Sequence, residues 1–512
     1  MKITLLLLSF IVAGTGISQF EIPSGVSVST PYKINGSYDR SLFVVDNTLY
    51  FLKERAKTSL LQIHTKENFD LLTVKKIESI RGSLIPTPLI SGDKIGFLST
   101  INAGKSQTIQ YHELDTKSNS FLAPVKLGES KSNTDIYISN ERNYFAEISS
   151  NLKASYGLLI GNRKFTHEKV QVSVSVYDSD IEKKWSNSVT FPFDDSHSEL
   201  NSTKVTGQGE VFLFYTIYQN EKRELYNKAG EKTADQVCYY ITENGATPID
   251  RTFLDHFKLA TSFYFVSDKD GNDYLAGLYQ DKAEGSINYQ GFFLSKMVNG
   301  EFQDAVKYPF DKEVIDRYLK PEKNGTVQPY SGTGWLSIKN IQFEYDQSVT
   351  AFFNQTYSYL VFTKDGSHPV YVNKNIFISH AKLNGAESWT IKIPKNQQSG
   401  DERSELGYFE NYTPEYTYLV YVDHNHNLSL PANEVPSTHR CGVGGFMTVC
   451  RIDNNSGAID KKQLFNIEKF NRKGIYQLRF DSFCNIGNKV VFEVYAKDKK
   501  DIMITIDYEK VF

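Results

Sequence analysis

Residues 376–395 read IFISHAKLNGAESWTIKIPK: a β-branched and aromatic run, then Asn384-Gly385, then a second such run from Trp389. Val, Ile, Thr and aromatic side chains suit a pleated, half-buried strand. An Asn-Gly pair between two such runs reverses the chain. The stretch is therefore a β-hairpin, and the rest of the chain repeats it. Copies stand at 59–77 (SLLQIHTKENFDLLTVKKI), 108–127 (TIQYHELDTKSNSFLAPVKL), 172–192 (VSVSVYDSDIEKKWSNSVTFP) and 236–253 (QVCYYITENGATPIDRTF). Two more follow at 291–310 (GFFLSKMVNGEFQDAVKYPF) and 447–465 (MTVCRIDNNSGAIDKKQLF). Successive copies are roughly 50 to 85 residues apart, at or above the ~40 to 50 of propeller blades.

A second strand pair precedes most copies, as in SFYFVSDKDGNDYLAGLY at 262–279, where Asp270-Gly271 marks the turn. Each unit thus holds four strands. The last unit, 475–508, supplies only three clear strands, so a strand near Tyr32 to Tyr38 is expected to complete it and close the ring. Closure removes the exposed edges that an open array would present. Seven full units and the closing one predict an all-β chain forming a single β-propeller of eight blades over residues 19–512. Seven blades are the alternative, and two stacked β-sandwich domains the competing architecture. No Pro-Ser-rich or charged linker divides the chain. Helical periodicity is scarce, the best stretch being KEVIDRYL at 312–319, ended by Pro321.

The N-terminus has the form of a secretory signal peptide over residues 1–18, with Lys2 followed by an apolar run and then Gly14, Gly16 and Ser18. That run is shorter than the ~20 residues needed to span a bilayer, and no later segment is apolar enough to do so. The expectation is an exported protein, periplasmic, cell-surface or extracellular, without a membrane span. With 57 basic and 60 acidic residues the net charge is -3, and both signs are scattered. A nucleic-acid partner would want a concentrated basic face, so none is expected. Four cysteines, Cys238, Cys441, Cys450 and Cys484, are too few to frame the fold. Secretion permits bridges, and Cys441 with Cys450, flanking GVGGFMTV, is the first pair to consider among three connectivities.

Several phrases resemble a known group. DYLAGLYQDKAEGSINYQGFFLSKM at 273–297, followed by KYPFDKEVIDRYL, is similar to a stretch of uncharacterised secreted β-propeller-like proteins of Bacteroidetes. IFISHAKLNGAESWTIKIPKNQ at 376–397, with GYFENY after it and a hairpin ending at Asp423, resembles them too. The resemblance covers roughly residues 256–470. It departs at 337–348, SIKNIQFEYDQS, where relatives have a strand with glycine and glutamate. It implies a bacterial, exported protein and carries no activity.

No G-x-S-x-G elbow, HExxH helix or Walker loop occurs. Propeller enzymes assemble their sites from several blades, so no catalytic residue is assigned. The 32 Tyr and 34 Phe mostly alternate within strands, as Phe212, Phe214 and Tyr218 do, and are expected to pack between sheets. Trp185 and Trp389 stand in outer hairpins, whereas Trp335 follows the loop-like SGTG.

The sharpest chemical signal is DHNHNLSLPANE at 423–434. Oxygen-bearing residues fall at the first, third, fifth, seventh and twelfth places, the spacing of a calcium loop. Asp423, Asn425, Asn427 and Glu434 are the candidate calcium ligands, with the Ser429 carbonyl. Leu428 stands where the sharp turn wants glycine, and the preceding YTYLVYV is a strand rather than a helix. His424 and His426 lack a third nearby His or Cys, and beyond calcium no cofactor is implied. The function expected is a secreted binding or scaffold module for a protein or a glycan. The alternative is a polysaccharide-active hydrolase or lyase with its site on the propeller axis.

Overall fold

The computed structural model describes residues 22–512 apart from 34–38, 78–82, 151–166, 222–232, 250–256, 282–288, 312–335, 401–405 and turns of one to three residues. The expected signal peptide, the expected helix at 312–319 and Trp335 lie outside the described residues. The described strands form eight sheets, each built around an antiparallel meander. They are blades one to eight of a β-propeller: 39–77, 83–131, 135–194, 198–249, 259–309, 336–399, 409–466, and 475–507 joined by 26–28. All seven outer hairpins read from the sequence are third and fourth strands of blades one to seven.

The first strand of each blade lies innermost, beside the first strands of neighbouring blades: Ser198–Val205, for example, adjoins both Asp135–Glu141 and Leu259–Ser267. Side chains of a strand alternate between its two faces, and in a propeller both faces are covered. In the second strand of blade four, Val211–Tyr218, Val211, Leu213 and Tyr215 pack toward blade three, while Phe212 and Phe214 pack toward blade five. This explains the near-continuous apolar run VFLFYTIY. The pattern holds around the ring, with eight apolar clusters among the described residues, each bridging one pair of adjacent blades. Each fully buried Val, Leu or Phe contributes about 1.5–3 kcal/mol.

Short side chains close the outer hairpins. Asp115 accepts from Lys117 N at 3.0 Å, Asp178 from Asp180 N at 2.9 Å, and Asp453 from Ser456 N at 2.8 Å. Asn384 accepts from Ala386 N at 3.0 Å. These are Asx turns, in which the side chain takes a backbone N–H that the reversal would leave open. The Asp and Asn residues of the repeat are thus accounted for by local geometry.

The ring closes through the N-terminus, but earlier than expected. The closing strand is Val26–Val28, antiparallel to Asp501–Asp507 with Val26 opposite Ile506. Gly25, at φ 80°, turns the chain into it, and a Cβ there would lie 2.7 Å from Val511 Cγ2. Of the strand expected near Tyr32 to Tyr38, residues 34–38 lie outside the described residues, and Tyr32 makes a single bridge, to Asp501. Val26 of the closing strand adds to the apolar cluster between blades seven and eight. A second correction concerns the cysteines, since no disulfide joins any two of the four. Cys450 points into the core between blades six and seven, where burial pushes its thiol up to about 12. Cys441 is held away in a loop, its N–H bonded to Gln398 O at 2.9 Å.

The two rims of the ring differ. On one rim, tight turns join first to second and third to fourth strands. On the other, blade six extends its middle strands, Ser348–Thr363 and Gly366–Lys382, into an arm exposing Tyr359, Leu360 and Phe362. Among the described residues, no helix is long and apolar enough to cross a membrane.

Candidate ligand-binding site

On the tight-turn rim, a cleft of about 570 Å³ opens between blades four and five. One wall is the turn after Ser198–Val205. Thr206 Oγ1 accepts from Gln208 N and Glu210 N, each at 3.2 Å, and donates to Glu210 Oε2 at 3.2 Å. Gly209 supplies the positive φ of 80°, and Trp185 of blade three donates to its carbonyl at 2.9 Å. The carboxylate of Glu210 is therefore set by its own turn and braced from the neighbouring blade.

The opposite wall is the equivalent turn of blade five. Asp268 Oδ1 accepts from Asp270 N at 2.9 Å and Asn272 N at 2.8 Å, and Gly271 takes φ 86°. That leaves Asp270 exposed at the tip, with Asp273 one strand step below and accepting from Ser267 Oγ at 2.6 Å. Between the walls stand Tyr240 and Phe212, ring centroids 5.1 Å apart, with Met297 and Gly300 from the outer hairpin of blade five. Tyr240 donates its hydroxyl to Glu210 Oε1. Burial and that carboxylate together push the phenol up to about 12, since both disfavour phenolate.

The cleft therefore has an aromatic side, an acidic rim and hydroxyls already donating to carboxylates. Glu210, Asp270 and Asp273 line it, and among the described lining residues there is no Lys, Arg or His. A smaller cleft of about 390 Å³ lies between blades five and six, with Lys296 and Lys382 set against Asp304 and Asp346. Its charges are mixed, and Lys382 already pairs with Asp346 at 2.6 Å.

The sequence-derived metal candidates fall elsewhere. Residues 423–434 join the second and third strands of blade seven, on the other rim. Asp423 and Asn427 come together in the interior, with Asn427 Nδ2 donating to Asp423 Oδ1 at 2.8 Å. The Asn427 oxygen accepts from Ser437 N at 2.9 Å, and its amide also donates to Ser437 O at 2.9 Å. Asn425 and Glu434 stand on the exposed surface, and Asn425–Asn427 forms a single turn of 3-10 helix. Among the described residues, no three His, Cys, Asp or Glu side chains converge to hold a metal ion. The spacing thus brings two of the four candidates together, in a hydrogen-bonded bracket across the loop.

Near the axis, Lys339 of blade six meets Glu410 of blade seven and lies 3.9 Å above the Tyr408 ring. Burial pulls the Lys339 amine down, against the raising effect of Glu410.

No family model matches the chain, and no curated protein matches it. Among solved structures, the WD40 domain of SCAP from fission yeast aligns over 96% of this chain and 99% of its own, at 10% identity and TM-score 0.40. The polysaccharide lyase Uly1 aligns over 95% of this chain and 97% of its own, at 8% identity and TM-score 0.33. A hypothetical selenium-binding protein from Sulfolobus tokodaii aligns over 69% and 78%, at 12% identity and TM-score 0.36. The chain is an eight-bladed β-propeller. Likenesses at such scores say nothing of what it binds.

Sequence reasoning missed the cleft because its residues carry no shared motif. Glu210 reads as the start of a strand, Asp270 as half of an Asp-Gly turn, and Tyr240 as one strand aromatic among many. They are 60 positions apart at the extremes and meet only because blades four and five are adjacent in the ring. One signal was present: both turns sit at the same point of the repeat, and both place an acidic residue there.

Proposed function

We propose that this chain is a binding module whose ligand seats in the cleft between blades four and five. The observation supporting this reading is the construction of the cleft. Two turns fixed by their own side-chain hydrogen bonds hold Glu210 and Asp270 on opposite walls, with Tyr240 and Phe212 between them. The Glu210 carboxylate, held by Thr206 and Tyr240, is preorganised, so a ligand is not charged the entropy of ordering it. A concave site with a few placed polar groups beside aromatic surface is the usual form of a binding site. Export and action at or outside the cell surface belong to the same proposal, motivated by residues 1–18.

The test is a panel of glycans and short peptides screened for both binding and turnover, against the wild type and Gln208→Trp. Gln208 is exposed on the cleft wall, so an indole there fills the opening without touching the core. Binding without turnover, abolished by the indole, is the result expected. Binding that Gln208→Trp leaves unchanged places the site elsewhere and overturns the reading. Turnover of a polysaccharide would instead make the chain an enzyme.

A further inference from the structure

The cleft's chemistry is one-sided. The hydroxyls of Thr206, Ser267 and Tyr240 each donate to a carboxylate within it, and the N–H groups of Asp270 and Asn272 are taken by Asp268. A ligand therefore meets mainly acceptors, with Gln208 the one lining side-chain amide outside this network among the described residues. Three carboxylates line the cleft and Lys269, in the same blade-five turn, stands exposed outside the lining, so the lining itself is negatively charged among the described residues. Narrow low-dielectric walls focus such a field.

The apolar part of the lining points the same way. The half-buried Tyr240 presents its ring to the cleft, backed by the buried Phe212 at 5.1 Å and by Phe265, 6.0 Å from Phe212. The thioether of Met297 lies beside them, and Gly300 leaves room over the Tyr240 ring, 3.9 Å from where a Cβ would stand. Aromatic faces attract a cation as well as covering an alkyl stem. A neutral sugar would need donors as well as acceptors, and an acidic sugar would meet repulsion. An alkyl ammonium or guanidinium satisfies both the acceptor rim and the aromatic side.

We infer that the cleft between blades four and five binds a lysine- or arginine-bearing peptide segment of a protein partner. The inference rests on the cleft being the binding site. Its volume exceeds one side chain, so flanking backbone enters as well. The basic head lies toward Asp270 and Asp273, and the stem lies along Tyr240 and Met297.

The experiment titrates the full chain with the peptides GGKGG, GGRGG, GGK(acetyl)GG and GGEGG, with spermidine and with cellohexaose. Each is measured by calorimetry for the wild type, D270N/D273N and Q208W, and thermal unfolding confirms that each variant is folded. Expected are binding of the Lys and Arg peptides but not of the acetylated or acidic ones, at least tenfold weaker binding in D270N/D273N, and further weakening at high salt. Spermidine binding tightly while the basic peptides do not would assign the site to a free polyamine and overturn the peptide claim. Cellohexaose binding that Q208W abolishes and D270N/D273N leaves within twofold would overturn the cationic assignment while keeping the cleft. Basic-peptide binding unmoved by Q208W would overturn the cleft itself. Silence of both basic peptides would overturn the inference.

Discussion

Lys53 Nζ in blade one lies 2.5 Å from Glu493 Oε1 in blade eight, with both side chains buried. Asp501 Oδ2 is 3.5 Å from the same amine, and Tyr32 donates to Glu493 at 2.8 Å. This network sits where the ends of the chain meet. Among the described residues, the apolar cluster at that interface, Leu49, Phe69, Val491 and Met503, is smaller than those between other blades. Buried charges seldom raise net stability over well-packed apolar residues, but removing one partner strands the other. The network joins blade one to blade eight across the closure of the ring.

Lys53→Met is therefore expected to destabilise the chain by about 3–5 kcal/mol, because Glu493 and Asp501 lose their cation in the interior. Pairing it with Glu493→Gln should recover part of that loss. Urea unfolding across the double-mutant cycle measures the coupling, and strictly additive effects would refute it.

The blade interfaces should respond to truncation according to burial rather than residue type. Leu213, 0% exposed between blades three and four, is expected to cost about 2–5 kcal/mol as Leu213→Ala. Phe362 on the arm is 79% exposed, and Phe362→Ala should stay within about 0.5 kcal/mol. Equal losses at the two sites in urea unfolding would contradict the burial assignment.

Blades six and seven enclose a lysine that makes stability depend on pH. Lys395 is wholly buried, its amine donating to Asn373 Oδ1 at 2.6 Å and Gln397 Oε1 at 2.8 Å. Burial pulls it down to about 7 from 10.5, against the raising effect of Asp423. Between those values the unfolded chain holds the proton and the folded chain does not. Stability contributed by this group therefore rises with pH through about 7 to 10.5, by at most ~1.4 kcal/mol per unit. Asp423 acts in the opposite sense, since burial raises it to about 6 from 3.8, so that its contribution falls as pH rises across that window. Lys395→Met should flatten the alkaline slope and Asp423→Asn the acidic one, as read by urea midpoints from pH 4 to 10. A slope unchanged in both variants would disprove these roles.

The loop at 423–434 should depend on its bracket. Asn427→Ala removes three hydrogen bonds to Asp423 and Ser437 and is expected to cost about 2–3 kcal/mol, given the desolvation of the groups left behind. Because the Asn427 oxygen already accepts from Ser437 N, thermal midpoints with Ca²⁺ and with chelator are expected to coincide. A rise with Ca²⁺ that Asp423→Ala abolishes would instead establish metal binding there.

Much of the architecture was legible in the chain itself. Residues 376–395 and their six counterparts declared outer hairpins because strand propensity and turn chemistry are local, and Asn384 or Asp453 closes its turn with neighbours two or three residues away. The number of blades followed from counting such units. Val26–Val28 was missed as the closing strand because three residues carry too little pattern, and only their pairing with 504–506 reveals them. Asp423, Asn427 and Glu434 showed a spacing, but spacing along a loop does not say which oxygens turn inward.

The repeat was therefore written locally: strands, turns and the all-β class, each set by contacts within one hairpin. Packing in three dimensions set which face of each strand met which neighbour, how Lys53 found Glu493 across 440 positions, and that Glu210 and Asp270 would share one cleft. Those outcomes depend on how blades pack around a common axis, and the distances they bring together are not written in any local stretch of residues.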